Sequence, residues 1–196
     1  MSEITLEDGK AAVRAARSVA EAATRGKSVE IDLPQSFDEP KGVFVTVSEY
    51  PSHHLRGCIG YPEPIFSLKA AIKLSAEAVC HDPRFPPLTT KEAEVCTFEV
   101  TVLTPPEAIV YTSPGELVSQ IEIGRDGLTI RYQEKRGLLL PQVPVEWKWT
   151  VEEYLTHLSL KAGLSEDAWK HPEVVIGRFR GDIYSEVSPN GEIVRK

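Results

Sequence analysis

A chain of 196 residues lies near the upper end of what one hydrophobic core organises, so a single domain (residues 1–196), divided at most into two lobes, is the expectation. With 41% hydrophobic and 26% charged residues, the composition is that of an ordinary globular protein and excludes wholesale disorder. The 22 Lys and Arg against 29 Asp and Glu give a net charge of -7, which repels a phosphate backbone unless a basic face is segregated, and so counts against nucleic acid as a partner.

The two densest basic stretches, Arg131 to Arg136 and Gly177 to Arg180, are short and mixed with apolar or acidic residues, as in a solvated strand edge. Cys58, Cys80 and Cys96 cannot all pair within one chain, and their spacing matches neither a zinc ribbon nor a CxxC motif. Reduced thiols in a cytoplasmic protein without a metal are therefore expected. The first residues lack a basic segment followed by an apolar run, and no apolar stretch is long enough for a bilayer, so no membrane association is expected.

From Thr5 to Gly26, Ala12, Val13, Ala16, Val19, Ala20 and Ala23 recur at three- and four-residue steps, which predicts an amphipathic helix ending at glycine. An irregular, proline-containing crossover follows to Lys41. Gly42 to Val47 and Leu55 to Tyr61 read as two strands of a hairpin. Ile65, Leu68, Ile72, Ala76 and Val79 hold helical spacing until His81-Asp82-Pro83, where the proline ring cannot continue the ladder. Cys96, Phe98, Val100 and Val102 alternate with Thr97, Glu99 and Thr101, the pattern of a half-buried strand.

Ser113-Pro-Gly-Glu116 is a capping box with proline at the first helical position. Gly127 to Tyr132 and Leu138 to Val143 then predict a second hairpin, and Thr150 with Glu153 caps a second helix, ended by Gly163. A last strand is predicted near residues 174–187. The chain thus reads as an α+β fold of antiparallel sheets flanked by helices, with an internal duplication of a hairpin, helix and strand over approximate repeats 42–103 and 127–187.

Setting the second strands of the repeats side by side places Leu138 opposite Leu55 and Pro141 opposite Cys58. The apolar anchor is shared and the polar chemistry is not, which directs attention to Arg56 and Cys58. On a regular strand these two project from one face, about 6.6 Å apart at about 3.3 Å per residue. A guanidinium at that range favours thiolate, the form that attacks electrophiles. Gly57 and Gly60 would let a ligand approach closely. The alternative is a small buried cysteine, an Arg56 paired with a carboxylate, and glycines that permit close packing or a bulge.

His53 and His54 are the histidines nearest in sequence to serve as a base, although histidines in such a loop are commonly just solvated. Asp82-Pro-Arg-Phe-Pro-Pro87 is braced by prolines that fix Asp82, Arg84 and Phe85 in place. Arg84 would either clamp an anionic substrate or tie the loop down through Asp82. Glu99 and Gln142 are polar residues set among apolar ones, suited to substrate contact or to a satisfied place in the core. Trp147 and Trp149 read as rings covering the helix that follows rather than a platform for bases. None of these residues specifies a cofactor.

Leu55-Arg-Gly-Cys-Ile-Gly60, together with Gly42-Val-Phe-Val-Thr, Asp82-Pro-Arg-Phe-Pro-Pro, Phe98-Glu-Val-Thr-Val-Leu, Gly137-Leu-Leu-Leu-Pro-Gln-Val and Lys161-Ala-Gly-Leu, resembles the AMMECR family over nearly the whole chain. The resemblance implies a stand-alone prokaryotic-type domain with a larger and a smaller lobe and the signature near the cleft between them. It implies no particular reaction. It also implies an association with Memo-like and radical S-adenosylmethionine proteins, and it does not extend to Ser52-His53-His54. The leading expectation is an enzyme in which Cys58 is nucleophile or redox thiol, Arg56 activates it, and Arg84 orients a small anionic substrate. A non-catalytic adaptor presenting Arg56, Arg84 and Phe85 is the alternative, and nucleic-acid binding is a third.

Overall fold

The computed structural model describes residues 4–196. They form two compact units, one of the residues up to Thr104 together with Gly181–Lys196, the other of Pro105–Arg180. In chain order the first unit contributes α1 (Leu6–Thr24), β1 (Val43–Glu49), β2 (Leu55–Tyr61), α2 (Leu68–Ala78), α3 (Thr90–Val95) and β3 (Cys96–Leu103). The second follows with β4 (Glu107–Ala108), α4 (Pro114–Ser119), β5 (Gly127–Tyr132), β6 (Lys135–Leu139), α5 (Gln142–Trp147), α6 (Val151–Lys161) and β7 (Val175–Phe179). The chain then returns to the first with β8 (Gly181–Glu186) and β9 (Ile193–Arg195).

In the first unit five antiparallel strands run in the order β2-β1-β3-β8-β9. Period-two alternation puts Val43, Val45 and Val47, with Phe98, Val100 and Val102, on the face that α1 and α2 cover. α1 starts at a capping box in which Thr5 and Asp8 satisfy each other's backbone amides, and its alanine stripe is buried. Within this core the Arg17 guanidinium of α1 forks onto the Glu186 carboxylate of β8, at 2.7 and 2.5 Å, and both are nearly sealed from water. Backbone groups complete the pair: the Ala93 and Cys96 carbonyls accept from Arg17, and the Phe98 amide donates to Glu186.

The second unit has the order β4-β7-β5-β6, with α6 packed on β5 and β6 over a core that includes Leu128, Ile130, Tyr154, Leu155 and Ile176. Hairpin, helix and a strand returning beside the hairpin's first strand give β2-β1-β3 in one sheet and β6-β5-β7 in the other. These α+β sheets with flanking helices are the architecture expected from the sequence.

Several local expectations are corrected. The single strand predicted near residues 174–187 is two strands in different sheets, β7 and β8, with Arg180 between them in sequence. The strand predicted to run to Val143 stops at Leu139, and residues 142–147 are helical, because prolines are tolerated in a first helical turn whose amides have no partner. Pro141 therefore lies beyond its strand and is not a strand counterpart of Cys58. Helix α2 begins at Leu68, capped by Ser67, so Ile65 is outside it and exposed. Trp149 stacks on His157 of α6 at 3.9 Å, as a covering ring should, whereas Trp147, 68% exposed, stacks on Trp149 with ring centroids 6.2 Å apart. No helix among the described residues is long and apolar enough to cross a membrane.

Candidate functional site: the Cys58 strand and the Asp82 loop

Strand β2 is an edge strand, and its unpaired backbone groups need partners. At Cys58 the partners are side chains. The amide donates to the Asp82 carboxylate at 2.9 Å, and the carbonyl accepts from Arg84 Nη2 at 3.1 Å. Arg84 also forks onto Asp82, Nε to Oδ1 at 3.0 Å and Nη2 to Oδ2 at 2.7 Å, and its own amide donates to Oδ1. The Asp82–Arg84 pair thus stands where a further strand would pair with Cys58, one acid accepting and one base donating. A short 3-10 turn, Val79–His81, brings Asp82 to this place, and Pro83 ends the turn. Hydrogen bonding from Arg84, helped by the Cys58 amide and opposed by burial, holds the Asp82 carboxyl down at about 2.

Arg56 is not beside the thiol. The pairing with β1 shifts between Val47 opposite Gly57 and Ser48 opposite Leu55, so Arg56 is the extra residue of a β-bulge. The bulge breaks the alternation on which the shared-face expectation rested. Arg56 instead turns into the first unit, is only 7% exposed, and donates Nε to Glu92 of α3 at 2.9 Å and Nη2 to the Pro86 and Pro87 carbonyls at 3.0 and 3.3 Å. Its hydrogen bond, with those of Thr89, holds Glu92 at about 2. The Phe85 ring is shared by the two cations, with Arg56 Cζ 5.9 Å and Arg84 Cζ 5.6 Å from its centroid.

The two glycines serve packing. A Cβ on Gly57 would meet a Val79 methyl and the Val79 carbonyl at 3.0 Å, so Gly57 is what lets the 3-10 turn lie against the strand. On Gly60 it would fall 2.2 Å from the Val43 carbonyl and 2.5 Å from the Phe44 ring, so that space belongs to Phe44 rather than to an approaching ligand.

The Cys58 side chain faces the other way. Cys58 pairs with Thr46, Thr46 with Glu99, and Glu99 with Ser185, so these four side chains form a row across the sheet face opposite the helices. Thr46 Oγ1 donates to Cys58 Sγ at 3.3 Å, and Glu99 is joined by Lys196 Nζ at 2.6 Å. Cys58 is half-buried, whereas Cys80 and Cys96 are buried in the core. Burial pushes the Cys58 thiol up; the Thr46 hydrogen bond and the Arg84 charge oppose that, and the Asp82 and Glu99 charges add to it. Its pKa is therefore raised rather than lowered, contrary to the guanidinium-activated thiolate expected from sequence. Burial pushes Cys80 further, up to about 11.

Asp82, Arg84, Phe85, Arg56, Gly57, Gly60, Cys58 and Glu99 all belong to the first unit, and Gln142 to the second, where it is exposed at the start of α5. His54 is exposed and lies 3.8 Å from Glu49 across the hairpin turn, and His53 is exposed with a positive φ. Among the described residues no group of three His, Cys, Asp or Glu is placed to hold a metal ion. Sequence reasoning missed Thr46, Glu92 and Lys196. The first two left signals: Thr46 is a polar residue on the outward phase of the β1 alternation, between Val45 and Val47, and Thr89 with Glu92 is a capping box.

The fold and this site define a class: a two-unit α+β protein in which a cysteine on a bulged edge strand is fixed by an aspartate–arginine pair. The AMMECR1 family model matches residues 13–184, and the chain belongs to the AMMECR1 family. It is 51% identical to Protein MJ0810 of Methanocaldococcus jannaschii over 198 aligned residues, spanning 100% of this chain and 98% of that one. A protein of Aquifex aeolicus is 44% identical over 176 residues, 88% of this chain and 90% of the relative. Among solved structures, the uncharacterized protein PH0010 of Pyrococcus horikoshii superposes with a TM-score of 0.81 at 43% identity, covering 98% of each chain.

Proposed function

We propose that this AMMECR1-family protein is an enzyme whose reacting group is the Cys58 thiol, acting as nucleophile or redox thiol on a small anionic substrate. One observation carries the reading. Asp82, Arg84, Arg56 and Gly57 all act on the backbone of β2 or on the loop that holds it, and the Cys58 sulfur is the polar atom of the signature left on the opposite, partly open face. Tying down both the amide and the carbonyl of one residue is how a reacting atom is held to within a fraction of an ångström.

In this reading Arg84, half exposed, takes the part that the sequence gives to Arg56: it offsets negative charge near the sulfur and supplies a guanidinium for an anionic group. Thr46 donates to the sulfur and so favours the thiolate once the proton leaves. The resting thiol is protonated at neutral pH, so turnover requires a proton acceptor.

The test pairs chemistry with genetics. Iodoacetamide should label Cys58 in the folded protein while Cys80 and Cys96 stay protected, and Cys58→Ser should abolish complementation of a deletion strain without changing the melting temperature. A Cys58→Ser protein that folds and complements fully is the result that removes catalysis. The raised pKa of the thiol favours one other reading, a non-catalytic binding module that presents Arg84 and Phe85, and full complementation by Cys58→Ser with loss in Arg84→Ala is its signature.

A further inference from the structure

We infer that Lys196 is a positioning residue for the Cys58 site: by holding Glu99 and cancelling its charge, it sets how readily the thiol ionises. The inference rests on Cys58 being the reacting group, and it concerns residues that lie outside the Leu55–Gly60 signature.

Three placements support it. Glu99 shares a cross-strand row with Thr46 and Cys58, so its carboxylate stands two strands from the sulfur, about 9–10 Å at about 4.8 Å per strand. Lys196 follows β9, whose pairing with β8 and whose own amide bond to the Ile183 carbonyl fix the backbone there. The ammonium reaches over β8 to Glu99 at 2.6 Å, so carboxylate and ammonium act on the sulfur as a compact dipole rather than as a lone negative charge. Only 23% of the Glu99 side chain is exposed, which limits solvent screening on this face.

Among the described residues, the other charges that bear on the thiol are paired. Arg84 and Asp82 face it from the loop beyond the strand edge and pair with one another. Arg56 and Glu92 lie on the helix-covered side and pair likewise. Arg195 and Asp182, on β9 and β8, form their own pair. The Glu99–Lys196 pair is therefore a charge balance that a single substitution tips in a known direction. A lone carboxylate there makes the thiol harder to ionise, and a lone ammonium makes it easier.

The experiment is a charge cycle on the intact chain, read by the pH dependence of Cys58 alkylation with iodoacetamide. Lys196→Met should move the midpoint up by about half a pH unit, as a unit charge at that range does in a medium between water and protein interior, and so slow labelling about threefold below the midpoint. Glu99→Gln should move it down by a similar amount. The double substitution Glu99→Gln with Lys196→Met removes both charges and should restore a midpoint near that of the parent, and Lys196→Arg should leave it unmoved. A Lys196 that merely fastens β9 predicts something else: a lower melting temperature in Lys196→Met with no shift of midpoint. Coincident midpoints across the four variants overturn the inference and leave the Cys58 reading standing. Failure of Cys58 to label at any pH in the parent overturns both.

Discussion

The Asp82 carboxylate and the Cys58 amide, 24 positions apart in sequence, are 2.9 Å apart, and the acid's side chain is 1% exposed. That single bond joins the two most distinctive segments of the chain, Leu55 to Gly60 and Asp82 to Pro87. Arg56 makes the reciprocal connection, from the strand to the prolyl carbonyls of the loop. Each segment supplies what the other lacks: the strand edge has amides and carbonyls to satisfy, and the loop has carbonyls and charges to place.

Replacing Asp82 by alanine should therefore cost stability as well as position. The Cys58 amide loses its acceptor and Arg84 its anchor, and a buried donor left without a partner costs about 1–3 kcal/mol. Urea titration should show an Asp82→Ala loss of about 2–3 kcal/mol and a smaller loss for Asp82→Asn, whose amide oxygen still accepts from Cys58. A loss below about 0.5 kcal/mol, the scale of an ordinary surface change, contradicts the edge-locking role.

Arg56 and Arg84 should separate cleanly in their effect on the thiol. Arg56→Met removes a buried guanidinium from Glu92 and two carbonyls and should destabilise by about 2 kcal/mol, yet leave the alkylation midpoint of Cys58 in place. Arg84→Met removes the positive charge that opposes the upward push on the thiol, so its midpoint should rise. Equal midpoint shifts in the two variants would mean that the bulge at Arg56 does not turn the side chain away.

Acid should loosen this same corner of the molecule. The folded carboxyls of Asp82 and Glu92 sit at about 2, below the roughly 4 of unfolded chains. A group depressed on folding stabilises fully above its unfolded value and loses that contribution as pH falls through the folded one, so the loss should run from about pH 5 to about pH 2. Urea midpoints measured across that range should fall less steeply in Asp82→Asn than in the parent. The Glu92 contribution is the more screened, since 39% of its side chain is exposed. Parallel slopes in parent and variant would falsify the assignment.

Much of this is legible in the residues, and the exceptions share a cause. The alternation of Cys96, Phe98, Val100 and Val102 in β3, the alanine stripe of α1 and the capping box at Thr150 are local signals, and each marks its element to within a few residues. The placing of Cys58 on a strand within a glycine-bearing signature is equally local. What fails depends on register or on chain path. A one-residue bulge reverses the face of Arg56, and nothing in Leu-Arg-Gly-Cys distinguishes a bulged strand from a regular one. Arg180 divides one apolar run between two sheets because the neighbours of β7 and β8, not their own residues, decide the sheet. Lys196 leaves no local signal because its partner, Glu99, is 97 positions away.

The buried Arg17–Glu186 pair tests the same principle deep in the core. Its two hydrogen bonds join α1 to β8, and the Phe98 amide and two carbonyls depend on it, so removing one partner strands the other charge and several backbone groups. Arg17→Met should cost about 3–5 kcal/mol, because an uncompensated buried carboxylate is far more costly than the pair is favourable. Arg17→Met combined with Glu186→Gln should recover part of that loss, since the neutral amide oxygen still accepts from Phe98 while no charge is left without a partner. The two losses simply adding in the double variant would show that the residues do not act as a pair, and calorimetric melting of the parent, the two single variants and the double variant decides between the outcomes.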